Sequence, residues 1–137
     1  MSKIFNHFYK TTVKSKKLVG IAFRFVREVL VKVFNDPEVL YNVRGHDLYM
    51  PMSHEMPFYV EKFPLYDSII LRISSFLRGK VQNISYIDVG ANIGDTIVAI
   101  NPISEDKIIA VEPEPRFNSI AHKNLHKYNN VEMLNVL

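Results

Sequence analysis

The chain is 137 residues long, which fits one domain of ordinary size. With 47% hydrophobic and 23% charged residues, it has the apolar content for a packed core, and wholesale disorder is excluded. It contains no cysteine, so disulfides, thiolate zinc sites, iron–sulfur clusters and cysteine nucleophiles are excluded as well.

The net charge of +3 is unevenly distributed along the chain. Residues 1–35 hold eight basic residues and one acidic residue, a balance of +7, whereas the remainder has a balance of −4. The excess of positive charge therefore belongs to an N-terminal arm. A nucleic-acid-binding domain should carry its basic patch on the folded core, so the sequence argues against a nucleic-acid partner.

Residues 14–35 have the period of one amphipathic helix, which should end at Asp36-Pro37. The helical wheel places most of the apolar residues on one half, with Ile21 and Val31 as exceptions: Leu18, Val19, Ala22, Phe23, Phe25, Val26, Val29, Leu30, Val33 and Phe34. The other half carries Lys17, Gly20, Arg24, Arg27, Glu28 and Lys32.

Charged residues interrupt this apolar stretch, so it predicts neither a secretory signal nor a membrane span. A basic amphipathic helix is nevertheless typical of peripheral contact with an anionic membrane. The alternative is that its apolar half packs on another part of the protein or on a second subunit.

Two short strands are predicted next, over residues 39–43 and 47–50, on either side of a turn at Arg44-Gly45-His46. Residues 51–64 hold three prolines and no clear period, which favours a loop. Residues 66–78 resume a helical period, and Gly79 stands where a helix commonly ends in a residue with positive φ.

From residue 84 the pattern changes to strand, helix, strand, helix, strand, over residues 84–89, 94–100, 108–112, 113–127 and 131–136. This alternation predicts an α/β fold with a parallel sheet and right-handed crossover helices. We expect an N-terminal extension over residues 1–80 and the first half of a nucleotide-binding domain over residues 81–137. Because three strands make only half of such a sheet, we expect the sequence to be an N-terminal fragment.

The segment between the first strand of this pattern and its helix reads Asp88-Val89-Gly90-Ala91-Asn92-Ile93-Gly94-Asp95-Thr96. Open α/β sheets bind their ligands at this end of the strands. Glycines allow a sharp turn at positive φ and let a ligand approach the backbone. Asn92 is the next most tolerant residue for a left-handed conformation. Glu112 ends the second strand, about 20 residues after Gly90, where an acidic residue commonly binds ribose hydroxyls.

Two cofactor classes compete for this loop. A dinucleotide-binding loop reads G-x-G-x-x-G, but here Asn92 and Asp95 stand at the second and third glycine positions. Asp95 would also place negative charge where a pyrophosphate should bind. S-adenosylmethionine has no phosphate and carries an ammonium and a sulfonium group, so an acidic loop suits it, with Asp88 as a partner for the ammonium. The sequence favours S-adenosylmethionine over NAD.

The loop, together with Val111-Glu112-Pro113-Glu114-Pro115, Phe117, Asn124 and Asn130-Val131, resembles the FkbM-type S-adenosylmethionine-dependent methyltransferases over about residues 84–137. Residues 39–80, including Tyr66-Asp67, resemble the segment that precedes the domain in many members. The resemblance implies a Rossmann-like class I methyltransferase fold and methylation of a hydroxyl on a sugar, glycan or natural product. By position, it implies a set of cofactor-binding residues: Asp88, Gly90, Ala91, Asn92, Gly94 and Glu112. No catalytic residue can be transferred, and the chain alone is expected to be inactive.

Two histidines, His122 and His126, stand four residues apart on a predicted helix, but no third ligand accompanies them. We interpret them as part of a solvated helix face and predict no metal site. The sequence thus predicts a methyltransferase, cytoplasmic or membrane-peripheral, that uses S-adenosylmethionine and acts on a small-molecule or glycan acceptor. An NAD-dependent oxidoreductase and a truncated, non-catalytic module that binds a membrane or a protein partner are the alternatives.

Overall fold

The computed structural model describes residues 2–15, 17–66 and 68–136. The chain divides into two compact units, Met1–Tyr66 and Asp67–Leu137, which we call the N-terminal unit and the sheet unit. The sequence places the division after residue 80, whereas the structure groups residues 68–80 with the sheet. Several sequence predictions include residues outside the described ones: Lys16 in the helix over 14–35, Asp67 in the helix over 66–78 and in the family resemblance, and Met1 and Leu137 at the ends of the two expected regions.

The N-terminal unit contains three helices and a hairpin: α1 (Ser2–Lys14), α2 (Lys17–Val33), β1 (Glu38–Val43), β2 (His46–Pro51) and α3 (Met56–Lys62). The strands pair antiparallel, with Val43 opposite His46. Arg44 and Gly45 connect them at φ values of 50° and 91°, as a two-residue turn with two left-handed positions requires. The predicted hairpin is confirmed.

Two predictions for this unit are wrong. Residues 2–14 form α1, a helix that the sequence analysis did not predict, and the predicted helix over 14–35 begins only at Lys17. Residues 51–64 were expected to be a loop but contain α3, whose first turn includes Pro57. Tertiary packing explains this short helix, because the ring of Phe58 is buried 5.9 Å from that of Tyr9.

The buried side of α2 also differs from the predicted one, although Arg24, Glu28 and Lys32 of the predicted polar half are exposed. Gly20 and Arg27, both assigned to the polar half, are buried. The Arg27 guanidinium lies over the Phe58 ring, 4.7 Å from its centroid, and forms an ion pair with Glu55. These contacts let a charged residue face inward, so the apolar residues Ile21 and Phe25 lie on the exposed side.

The sheet unit contains α4 (Ser68–Arg78), β3 (Ser85–Val89), α5 (Asp95–Ile100), β4 (Lys107–Val111), α6 (Pro115–Leu125) and β5 (Val131–Leu134). The three strands are parallel, in the order β3-β4-β5. This order confirms the predicted α/β fold. Helix α4 ends at Arg78, directly before Gly79, as predicted, but the φ of Gly79 is not positive as expected. The Gly79 backbone N–H donates to the carbonyl oxygens of Ser75 and Phe76.

The core of the sheet unit is formed by fully buried side chains from the loop, the helices and β4: Ile93, Ile97, Val98, Ile108 and Ile120. At the opposite end of the sheet, the buried carboxylate of Asp106 accepts hydrogen bonds from Arg78, Ile84 and Ile103. Burial alone would raise the pKa of Asp106, but these hydrogen bonds outweigh it and hold the pKa below its usual value. Within the described residues, no helix has the length and hydropathy needed to cross a membrane.

Candidate functional site

The loop after β3 adopts the left-handed conformations that its sequence predicts. Gly90 and Gly94 both have a φ of 78°, and Asn92 between them has a φ of 50°. The backbone N–H groups of Gly90 and Ala91 donate to the carbonyl oxygen of Val111, at 2.9 and 3.0 Å. The loop therefore crosses from the end of β3 to the end of β4, at the edge where parallel α/β sheets bind ligands.

The two glycines of the loop face different surroundings. A Cβ atom on Gly94 would lie 2.9 Å from the side chain of Leu125 in α6, which is closer than real Cβ contacts allow. A Cβ atom on Gly90 would meet no atom within 4 Å. Gly94 thus permits close packing of the loop on α6, and Gly90 leaves open space beside the backbone.

Glu112, which follows β4, holds the loop in place. Only 6% of its surface is exposed. Its Oε2 atom accepts a hydrogen bond from the Asn92 backbone N–H at 2.7 Å, and its Oε1 atom accepts one from the Glu114 N–H at 2.9 Å. A carboxylate has about four acceptor positions, so these two bonds leave acceptor capacity for a ligand hydroxyl.

Buried asparagine side chains from α6 support the same loop. The Asn124 amide donates to the carbonyl oxygen of Ile93 at 2.8 Å, and the Asn118 amide donates to that of Glu112 at 3.1 Å. The sequence indicates Asn124 only through the family resemblance, and no motif of the sequence indicates Asn118. Asparagine inside an otherwise amphipathic helix was the signal that could have indicated them, since buried amides need partners.

Asp88, the fourth residue of β3, carries an incomplete hydrogen-bond pattern. Among the described residues, no group donates a hydrogen bond to its buried Oδ2 atom. Burial, together with the negative charge of Asp95, raises the pKa of the Asp88 carboxyl. Because an unpaired buried acceptor is energetically costly, this oxygen is suited to a cationic or N–H group of a ligand.

The structure therefore brings the sequence-predicted residues together at one edge of the sheet. Asp88 is at the end of β3, the loop follows it, and Glu112 contacts the loop from the end of β4. His122 and His126 are exposed on or just after α6. The described residues contain no group of three or more histidine and acidic side chains arranged to hold a metal ion.

Neither a protein-family model nor a curated protein sequence matches the chain. Two solved structures from Pyrococcus horikoshii are similar to it. One is PH0793, a proposed transferase, with a TM-score of 0.53 and 19% identity; the match covers 82% of this chain and 47% of that one. The other is TYW2 in complex with MeSAdo, with a TM-score of 0.51, 18% identity and the same two coverages. The chain spans about half the length of these proteins, and the likeness shows a shared fold.

Proposed function

We propose that the sheet unit binds S-adenosylmethionine and that the chain belongs to an S-adenosylmethionine-dependent methyltransferase. The observation that carries this proposal is the buried, unpaired Oδ2 atom of Asp88 beside a left-handed glycine loop. A carboxylate in this position suits the cationic ammonium of the methionyl group. The fold supports the same assignment, because TYW2, which shares it, is complexed with the S-adenosylmethionine analogue MeSAdo.

Three parts of the site would hold different parts of the cofactor. The Asp88 carboxylate would accept from the ammonium, and the open space beside Gly90 would admit the ligand to the backbone. The Glu112 carboxylate, already fixed by two backbone N–H groups, would accept from ribose hydroxyls with its remaining lone pairs. When bound, S-adenosylmethionine supplies an activated methyl group for transfer.

The charge of the loop argues against a dinucleotide. Asp95 begins α5, where the pyrophosphate of NAD would otherwise meet helix N–H groups. Burial first, and then the negative charge of Asp95, raise the pKa of Asp88, and a bound phosphate would add to the repulsion between the two carboxylates. A cationic ligand relieves it. We therefore do not propose NAD as a ligand, and its binding is tested as the result that would contradict the proposal.

For the methyl acceptor we propose a hydroxyl group of a sugar, glycan or natural product, following the resemblance to FkbM-type methyltransferases. Such a transfer needs the acceptor oxygen aligned behind the methyl group, so the contribution of the protein is chiefly to position the two reactants. The residues of this chain that we assign to the site orient the cofactor only.

Isothermal titration of the 137-residue chain with S-adenosylhomocysteine and with NAD tests the binding proposal. We expect S-adenosylhomocysteine to bind and NAD to produce no heat. Asp88→Asn should weaken binding at least about tenfold, because it removes the charge that faces the ammonium. Glu105→Gln is the matched control, since it removes one charge from an exposed residue of the same unit.

Binding of NAD without any response to S-adenosylhomocysteine would contradict the proposal, and so would the absence of both signals from a folded chain. If binding is found, transfer of a labelled methyl group to sugar and natural-product hydroxyls then tests the acceptor class separately.

A further inference from the structure

Helix α2 presents an apolar row on its exposed side. Ile21, Phe25, Val29 and Val33 follow one another at intervals of four residues and therefore lie on one face. Their exposed fractions are 65%, 68%, 44% and 68%. Single exposed apolar residues are ordinary, but a contiguous row with a phenylalanine marks an interaction surface.

This row is exposed because the other side of α2 already packs inside the N-terminal unit. Gly20 and Arg27 are buried on that side, and the Arg27 guanidinium lies over the ring of Phe58. The contact between Phe8 and Phe23, with ring centroids 5.5 Å apart, fixes α2 against α1. The apolar row thus has no role in the core of the unit.

Cationic side chains border the apolar row on the same helix. Lys32 and Arg24 are exposed in the neighbouring row, and the Arg24 guanidinium also lies over the Phe58 ring, 5.2 Å from its centroid. The same row contains Glu28, the one acidic residue of the sequence between positions 1 and 35. A long cationic side chain beside an apolar row can extend to a phosphate while its methylenes remain in the apolar layer.

Helix α1 adds a second cationic border. Lys3, Lys10 and Lys14 are exposed and share one face of this helix. A surface groove joins this face to α2, and its lining is mostly apolar: Lys3, Ile4, His7, Phe8, Thr11 and Phe23. The two helices therefore form a surface with apolar residues at its centre and lysines or arginine on both sides, which we call the α1–α2 face.

From this pattern we infer that the α1–α2 face docks on the surface of an anionic lipid bilayer. An apolar centre with cationic borders matches the layers of such a surface, where headgroup phosphates lie above acyl chains. A second copy of the chain fits less well. A symmetric dimer would pair the α1–α2 face with itself and bring its cationic borders together, with Glu28 as the one acidic residue of the two helices to compensate them.

Sedimentation of the 137-residue chain with lipid vesicles tests this inference. Vesicles of phosphatidylcholine alone are compared with vesicles that also contain phosphatidylglycerol, at low and high salt. We expect binding to the anionic vesicles only, and weaker binding at high salt because exposed charges are screened. This readout is independent of cofactor binding by the sheet unit.

Two double variants separate the apolar and cationic contributions. Lys10→Glu with Lys14→Glu should lower the partition coefficient by at least about 30-fold, since each lysine near an anionic surface contributes roughly a factor of five. Phe25→Ser with Val29→Ser should lower it by roughly 100-fold, because two apolar side chains no longer insert. All four positions are exposed, so folding should be preserved.

Matched controls come from the sheet unit. Lys107→Glu with Lys127→Glu makes the same charge change, and Ile69→Ser with Phe76→Ser removes exposed apolar residues from α4. Both controls should bind as the unmodified chain does. Equal binding to neutral vesicles, no binding to either kind, or equal losses in the controls would each overturn the inference. A dimer that Phe25→Ser with Val29→Ser dissociates, without vesicle binding, would assign the face to a second copy instead.

Discussion

Replacement of Gly94 by alanine should destabilise the sheet unit more than replacement of Gly90 does, although both residues have a φ of 78°. The two substitutions share the cost of placing an L-residue in the left-handed region. They differ in what the new methyl group meets. At Gly94 it would lie 2.9 Å from two carbon atoms of the buried Leu125 side chain, whereas at Gly90 it would meet nothing within 4 Å.

The expected magnitudes follow from these two terms. Left-handed backbone costs an alanine roughly 1–2 kcal/mol relative to glycine, and this should be the whole loss of stability in Gly90→Ala. Overpacking a close-packed site adds about 1–3 kcal/mol, so Gly94→Ala should lose about 2–5 kcal/mol in total. The difference between the variants isolates the contact with Leu125.

Urea denaturation followed through the amide cross-peaks of Ile97 and Ile120 measures the stability of the sheet unit itself, since both residues are fully buried there. A double-mutant cycle with Leu125→Ala adds a direct test. Leu125→Ala alone should cost about 2–5 kcal/mol through the cavity that it creates. In the double variant the alanine methyl at position 94 partly fills this cavity, so the losses should fall short of additivity by about 1–3 kcal/mol.

Equal losses in Gly90→Ala and Gly94→Ala would refute this reasoning, because the Leu125 contact would then contribute nothing. Strict additivity in the cycle would refute it independently. Either result would mean that the loop does not pack on α6 as described.

Three further predictions concern the carboxylates. The pKa of the Asp88 carboxyl is raised, so the affinity for S-adenosylhomocysteine should increase as the pH rises through this pKa and the carboxyl loses its proton. Binding titrations at several pH values measure this dependence, which Asp88→Asn should flatten. Glu112→Ala should increase the hydrogen-exchange rate of the Asn92 amide about 10- to 150-fold through loss of a charge-assisted hydrogen bond of roughly 1.5–3 kcal/mol, whereas unchanged exchange would argue against a loop-holding role. Asp106→Ala should lower the free energy of unfolding by about 3–5 kcal/mol, because it leaves Arg78 unpaired. Since the pKa of Asp106 is lowered, this stabilisation is present above the usual pKa of 3.8 and is lost as the pH falls through the lowered pKa. Acid titration of the stability of both proteins checks this pH dependence.

Much of the sheet unit could be predicted because its signals are local. An apolar run of five residues predicts a strand wherever it lies, and the alternation with helices predicts parallel pairing. The left-handed positions at Gly90, Asn92 and Gly94 follow from residue type alone. The hydrogen bonds that Glu112 and Asn124 make to the loop were not predictable, because they join residues 20 or more positions apart.

The N-terminal unit shows where local reasoning fails. The apolar half of α2 is real, but its period does not specify which surface this half meets or which side a charged residue with partners can bury. The structure buries the side with Gly20 and Arg27 and compensates the charge with Glu55 and the Phe58 ring. Helix α3 is too short to produce a clear period, and its buried contact with Tyr9 is what stabilises it.

The sequence by itself determined the class of the fold, the order of strands and helices from residue 84 onward, and the position of the glycine loop. These depend on backbone preferences and on periods that a few neighbouring residues set. Only the tertiary structure decided the exposed side of α2, the orientation of Glu112 toward the loop and the unpaired oxygen of Asp88. Each of these depends on contacts between residues that are distant in the sequence, because burial and hydrogen-bond pairing are decided only when those residues pack together.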